Sequence, residues 1–548
     1  MTAAWRGCAV QGLSVQGAST ISSPVDAMEG VFKMNKKGLS MVCSMMAAVL
    51  CGTVFAVVAK PVVVPAPQEM KVKEGSYSVK ASAVDRSLYS FEKDASLPKE
   101  GYALSVTVKG IAVRSADESG RFYAEQTLRQ LASEKSGTLT FPCVEITDSP
   151  SFVWRGALLD EGRHFFGRET VKNMIDLMAY HKLNVLHWHL TEDQGWRIDI
   201  PGMPELVQYG SWRKESPKHG SKLQSFGNFR YKSELNGQKY GPFYYTEAEL
   251  REVVAYAASK HIRVVPEVDI PGHMRSAIAA YPNLTCFPEN IKERSAHSDW
   301  GISTDVLCIG NDETVAFLEK VFDFICDVFP SEVIHIGGDE CPRINWEKCP
   351  KCRARMEKEG FTKAGQLQGW ITRRMAAHLA KRGRRIMGWD EILADDAPKS
   401  AIGQSWRTQK GNGAGTTLVG GAEAARLGYD MVMNPHTETY YDYRQGLEDD
   451  PFQYPGGNIP LSRAYAFDPC AGVVPEARKH VLGSQAQMWS EYIWNEYDLA
   501  WKMWPRACAM SEVLWTGSEK KDFADFLVRM ETHRRRLIKM GVNCAPLR

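Results

Sequence analysis

From Phe152 onward the chain repeats one pattern: a short apolar run, a polar loop, then an amphipathic helical stretch. The runs are GALLD (156–160), LNVLHWHL (183–190), IRVVPEV (262–268), VIHIGG (333–338), RIMGW (385–389), AIGQSW (401–406), YDMVMN (429–434) and VLGSQAQMW (481–489). Between them stand helix formers such as ETVKNMIDLMAYHK, EAELREVVAYAASK and TVAFLEKVFDFICDVF. Apolar runs of this length suit strands buried on both faces, and a parallel neighbour requires a helical return. Eight such units over residues 151–518 predict an α/β chain whose main body is a (β/α)8 TIM barrel.

The flanks read differently. Residues 61–150 alternate YALSVTV, GIAVRS and TLTFP with one helical stretch, FYAEQTLRQLA, and predict a small α+β domain. Residues 519–548 predict a C-terminal helix packed on the barrel, with Arg534–Arg536 as a solvated face. Residues 1–60 carry the marks of a leader: Lys36 and Lys37, then an apolar run from Leu39 to Ala59 ending in small residues, which makes Met34 the expected start. The expectation is export to the periplasm, cell surface or medium, with membrane association only if the leader stays uncleaved. A formal net charge of +2 without a long basic run argues against nucleic acid as a partner.

In an exported chain the cysteines beyond the leader are expected as disulfides or inert thiols, with Cys286 and Cys308 as a candidate pair. Cys341, Cys349 and Cys352, in CPRINWEKCPKC, offer three zinc ligands without an evident fourth. No metal and no cofactor is expected.

Chemistry in such a barrel collects at the strands' C-terminal ends. Asp160 and Arg163 follow the first strand, His187, His189, Glu192 and Asp193 the second, and Glu267, Asp269 and His273 the third. Asp339 and Glu340 stand side by side after the fourth; Trp389 and Glu391 end the fifth, Trp406 the sixth, Tyr440 and Asp442 follow the seventh, and Trp489 and Glu491 end the eighth. Two adjacent carboxylates resist ionising together, which shifts one pKa upward, and a raised acid can protonate a glycosidic oxygen. Tryptophans at three strand ends suit the C–H faces of a pyranose.

The ordered motifs RGALLDEGRHF, NVLHWHLTEDQGWRI, VVPEVDIPGHMRSAI, HIGGDE, MGWDEIL, SWR, YYDY and QMWSE resemble the family-20 glycoside hydrolases, the exo-acting β-N-acetylhexosaminidases. The resemblance implies retaining, substrate-assisted hydrolysis of terminal β-N-acetylhexosaminides, whether in chitobiose, N-glycan, mucin-type or glycolipid chains. It makes Glu340 the general acid and base, Asp339 the clamp on the acetamido N–H, and Tyr440 a donor to the acetamido oxygen. Trp389, Trp406 and Trp489 would enclose the sugar, Arg163 would bind its C3 and C4 hydroxyls, and Asp442 with Glu491 those at C4 and C6. His273, oriented by Asp193, would tune Glu340, and Glu192 would be a structural neighbour. The first domain resembles the zincin-like domain that precedes such barrels; lacking an HExxH, it has a packing role. Two rivals remain at this stage: a barrel metallohydrolase built on His187 and His189 with His273 and Asp339, and a sugar-binding protein without turnover.

Overall fold

The computed structural model describes residues 60–83, 88–216, 238–394, 397–407, 420–446, 450 and 456–547. The leader read from residues 1–59 lies outside them. Val62–Arg548 forms one compact unit.

Eight parallel strands, Trp154–Asp160, Val185–His189, Arg263–Glu267, Val333–His335, Arg385–Trp389, Ile402–Ser405, Asp430–Met433 and Val481–Met488, close into a barrel in chain order, the first pairing with the eighth. All eight expected runs supply a strand. Every residue of the first two strands is buried, as strands covered by helices outside and side chains inside must be. One side chain from each of seven strands, Trp154, Val185, Val265, Val333, Met387, Ile402 and Val432, forms a separate apolar cluster. The outer helices obey their patterns. Helix Asp312–Val328 buries Val315, Leu318, Val321, Phe322 and Ile325, and the Asn311 side chain caps it by accepting the Glu313 N–H.

The small domain is a sheet in the order Glu69–Lys80, Thr138–Asp148, Tyr102–Thr107, Gly110–Ser115, Ser90–Lys93, with helix Glu118–Leu131 on one face. Its own core contains Leu104, Val106, Val113, Tyr123 and Leu128, together with Trp515 from the last barrel helix, Arg506–Trp515. Asp148 fastens the two parts. Its Oδ2 accepts from Lys182 Nζ at 2.9 Å and Tyr102 Oη at 2.6 Å, and its Oδ1 from Trp515 Nε1 at 2.8 Å and the Gln68 N–H at 2.9 Å. Both ends of the Asp148–Lys182 pair are fully buried, so removing one strands the other's charge. Asp148→Ala is therefore expected to cost about 3–5 kcal/mol in urea unfolding; a loss under about 1 kcal/mol would mean that water reaches the pair.

Two expectations need correction. The basic cluster of the C-terminal helix Phe523–Lys539 is not simply solvated: Arg534 donates to the Ala545 and Cys544 carbonyls and Arg536 to that of Val62. The Cys286–Cys308 disulfide does not form, and all ten described cysteines are free. The fold instead draws these two towards Cys349 and Cys352, while Cys341 packs against Gly272.

Candidate active site

The fourth strand stops at His335, and the next residues turn sharply: Gly337 has φ +63°, Gly338 +103° and Glu340 +47°. Both glycines are required by contact as well as by φ. A Cβ at 337 would lie 1.7 Å from Asp269 Oδ1, and one at 338 would lie 2.3 Å from Ile392 Cγ2. Asp269 accepts the Gly338 N–H at 2.9 Å, and Gln368 Nε2 donates to the Gly338 carbonyl at 2.5 Å, so the turn is pinned on both sides. Gly337→Ala is expected to cost about 3 kcal/mol or more through this clash, read as a fall in melting temperature with loss of activity. A stable, fully active variant would contradict the packing.

A left-handed conformation is unfavourable for glutamate by about 1–3 kcal/mol and persists only where the surroundings impose it. Here it separates two neighbouring acids. The Asp339 side chain is 14% exposed and that of Glu340 38%, so the first is enclosed and the second stays reachable from outside. Burial within the mouth, then the charge of Asp339, push Glu340 up to about 7.

His273, also left-handed at φ +53°, places Nε2 3.7 Å from Glu340 Oε2 and 3.9 Å from Asp339 Oδ2. Its orienting partner is Glu192 and not Asp193, which corrects the expectation from sequence. Nδ1 lies 2.6 Å from Glu192 Oε1 and 3.7 Å from Asp193 Oδ2. The Asp193 carboxylate is engaged elsewhere, accepting backbone N–H groups of Arg275 at 3.0 Å and Ser303 at 2.9 Å. Glu192 also reaches Arg163 Nη2 at 3.1 Å and His189 Nε2 at 3.2 Å. Although burial opposes charge here, Arg163, His273 and His189 hold Glu192 well below the carboxylate range, and Glu192 holds His273 well above the usual imidazole range.

Trp389, Trp489 and Tyr440 stand together, and Trp406 reaches Tyr440 through the ring of His436. Trp389 and Trp489 have ring centroids 5.5 Å apart, Tyr440 lies 6.2 Å from Trp489, and the Arg163 guanidinium sits 5.0 Å from the Trp489 ring centre. Trp406 is fixed by Nε1 donating to Glu391 Oε2 at 3.1 Å, and Trp389 by Nε1 donating to Glu267 Oε1 at 3.0 Å. Glu267, which the sequence places at the end of the third strand without a role, is a hub. His187 Nε2, His189 Nδ1 and His335 Nδ1 lie 2.9, 2.5 and 2.9 Å from its oxygens, and Gln485 Nε2 donates to His187 Nδ1 at 2.8 Å. His187 and His189 are thereby committed to positioning the Trp389 support, which removes the motive for the metallohydrolase reading. The sequence signal is that Glu267, His189 and His335 each end an apolar strand run; the barrel then sets them in register with one another.

Several acceptors at the mouth await donors. Among the described residues, both oxygens of Asp442, Oε2 of Glu491 and Oδ1 of Asp339 are buried without a hydrogen-bond partner. Burial, then the charge of Glu491, raise Asp442 well above the usual carboxylate range. Leaving such groups unpaired is costly, so the arrangement suits a ligand that brings several O–H groups and an N–H.

Comparisons with known proteins agree with this geometry. Residues 152–518 match the catalytic domain of glycosyl hydrolase family 20, and residues 81–149 match that family's domain 2. The beta-hexosaminidase of Porphyromonas gingivalis is 38% identical over 464 residues, 82% of this chain and 55% of that one. The chain thus spans about half the length of that relative. The beta-hexosaminidase of Akkermansia muciniphila is 31% identical, over 87% of this chain and 90% of that one. The crystal structure of an exo β-N-acetylglucosaminidase from Vibrio harveyi in complex with N-acetylglucosamine aligns with a TM-score of 0.77 at 30% identity, covering 88% of this chain and 78% of that one.

Proposed function

The chain belongs to glycosyl hydrolase family 20, and on that premise we propose that it removes terminal non-reducing β-linked N-acetylhexosamine, as GlcNAc or GalNAc, with retention of configuration. The observation that carries this reading is the left-handed turn at Glu340, which gives adjacent acids separate places beside an aromatic enclosure. The sugar packs between Trp389, Trp406 and Trp489. Arg163, Asp442 and Glu491 take its hydroxyls.

Protonated Glu340 gives its proton to the glycosidic oxygen as the bond to the anomeric carbon breaks. The substrate's own acetamido oxygen attacks that carbon from the opposite face and forms an oxazolinium ion. Asp339 accepts the acetamido N–H, turning the carbonyl towards the carbon and offsetting the positive charge that develops. The Tyr440 hydroxyl orients the same group. Glu340, now a carboxylate, takes a proton from water, which opens the ring with the β configuration restored. His273, held charged by Glu192, favours the carboxylate in that second step.

The natural chains proposed are those of chitobiose, N-glycans, mucin-type glycans or glycolipids, met outside the cytoplasm after export. Lys36, Lys37 and the apolar run behind them support export; N-terminal sequencing of the mature protein tests it, and a chain found intact in the cytoplasm would overturn it.

The pH profile tests the mechanism. Glu340 must be protonated to act as the acid, and burial with Asp339 sets its proton loss at about 7. For an oligosaccharide ending in β-GlcNAc, whose leaving group must be protonated, kcat/KM is expected to fall above about pH 7 with unit slope. A rate still rising through pH 9 would exclude Glu340 as the proton donor.

A further inference from the structure

Four cysteines from two separate segments of the chain converge. The sulfurs of Cys286, Cys308, Cys349 and Cys352 all lie within 4.8 Å of one another. Three of the separations are 3.7 Å for Cys286–Cys352, 3.7 Å for Cys308–Cys349 and 3.6 Å for Cys308–Cys352. A disulfide needs about 2.05 Å between sulfurs. A zinc ion with bonds of about 2.3 Å to four thiolates at tetrahedral angles puts its sulfurs about 3.8 Å apart. The three short separations match a tetrahedron's edge.

The backbone around the sulfurs is built for this. Thr285 and Leu307 form an antiparallel bridge that brings Cys286 and Cys308 together at the base of one loop. Cys349 is the N-cap of helix Pro350–Lys358, and Cys352 lies in its first turn, where unpaired N–H groups and the helix dipole favour thiolates. Gly310 lets the two segments meet, since a Cβ there would lie 2.1 Å from the Lys351 carbonyl carbon. Its N–H also points at the sulfurs of Cys308 and Cys352. Cys308, Cys349 and Cys352 are buried and Cys286 is half-buried.

We propose that Cys286, Cys308, Cys349 and Cys352 form a structural zinc site. Binding releases four thiol protons and leaves a centre of net charge −2, with Lys348, Lys351 and Arg353 each adjacent in sequence to Cys349 or Cys352 or between them. All four positions are filled by sulfur, so no open position is left for water, and the ion holds structure and does no hydrolysis. What it holds is specific. It ties the loop between Cys286 and Cys308, whose Ser303 N–H binds Asp193 at 2.9 Å, to the segment that leaves Glu340. In an oxidising compartment the same ion keeps four close thiols from pairing.

The proposal does not depend on the glycosidase reading, and the tests differ. Metal analysis of the purified full-length protein is expected to find one zinc per chain, and thiol titration in denaturant with a chelator is expected to release four more reactive thiols than without it. Cys349→Ser with Cys352→Ser is expected to abolish the zinc, whereas Cys470→Ser and Glu340→Gln keep it. Should the double variant fail to fold, the intact mass of the unreduced wild-type chain decides alone: the four cysteines must be fully reduced. A mass lower by two or four hydrogens, a metal-free chain with four freely reactive thiols, or zinc retained in the double variant would each overturn the site.

Discussion

Glu340→Gln is expected to lower kcat on an oligosaccharide by about 10²–10⁴-fold, the span that general acid–base catalysis supplies. The amide keeps the shape of the carboxyl but cannot give up a proton, so bond cleavage must expel an unprotonated alkoxide. The size of the loss therefore follows the leaving group. With p-nitrophenolate, which leaves without help, the first step is expected to suffer little, and the residual defect falls on the water-activated second step. Binding should survive, because Glu340 stands at the rim with 38% of its side chain exposed while the sugar is held by Arg163, Asp442, Glu491 and the tryptophans. The checks are steady-state kinetics on both substrate types and calorimetric binding of GlcNAc. Equal losses on good and poor leaving groups would remove the acid role from Glu340.

Asp339→Asn carries the second large effect, and its pattern is opposite. Asparagine presents an oxygen to the acetamido N–H but lacks the charge that offsets the oxazolinium ion. The expected loss in kcat is about 10²–10³-fold, the scale of removing one preorganised electrostatic partner. It should be nearly the same for good and poor leaving groups, since the charge it opposes develops in both. Removing that charge also relieves Glu340, whose pKa Asp339 helps to raise. The upper limb of the pH profile is therefore expected to move to lower pH in this variant. An unmoved limb with unchanged kcat would mean that the two carboxylates do not communicate.

Much of the frame was readable in the sequence because it is local. Each barrel strand is a contiguous apolar run, and its site residues end it or follow within one loop, Trp406 directly after Ser405 and Tyr440 seven residues after Met433, so period and phase suffice. A glycine pair such as Gly337-Gly338 is a local turn signal for the same reason, although what requires it, contact with Asp269 and Ile392, comes from the segments that follow the third and fifth strands. Where the reading failed, the deciding contact was long-range or geometric. Glu192 and Asp193 are adjacent acids on one turn, and only the backbone N–H groups of Arg275 and Ser303 decide which of them is free to meet His273. Nearness in sequence groups Cys341 with Cys349 and Cys352, whereas the fold brings Cys286 and Cys308 to them by a loop closure that no spacing shows. Glu267 was visible as a strand-end acid, but its position among three histidines depends on barrel register.

The measurement that bears most directly on the central claim compares p-nitrophenyl β-GlcNAc with p-nitrophenyl β-glucoside, identical except at C2, with the product anomer followed by NMR. Division of labour between Asp339 and Glu340 around a substrate amide predicts turnover of the first, release of the β anomer, and no detectable hydrolysis of the second. Comparable rates on both sugars, or initial release of the α anomer, would contradict it.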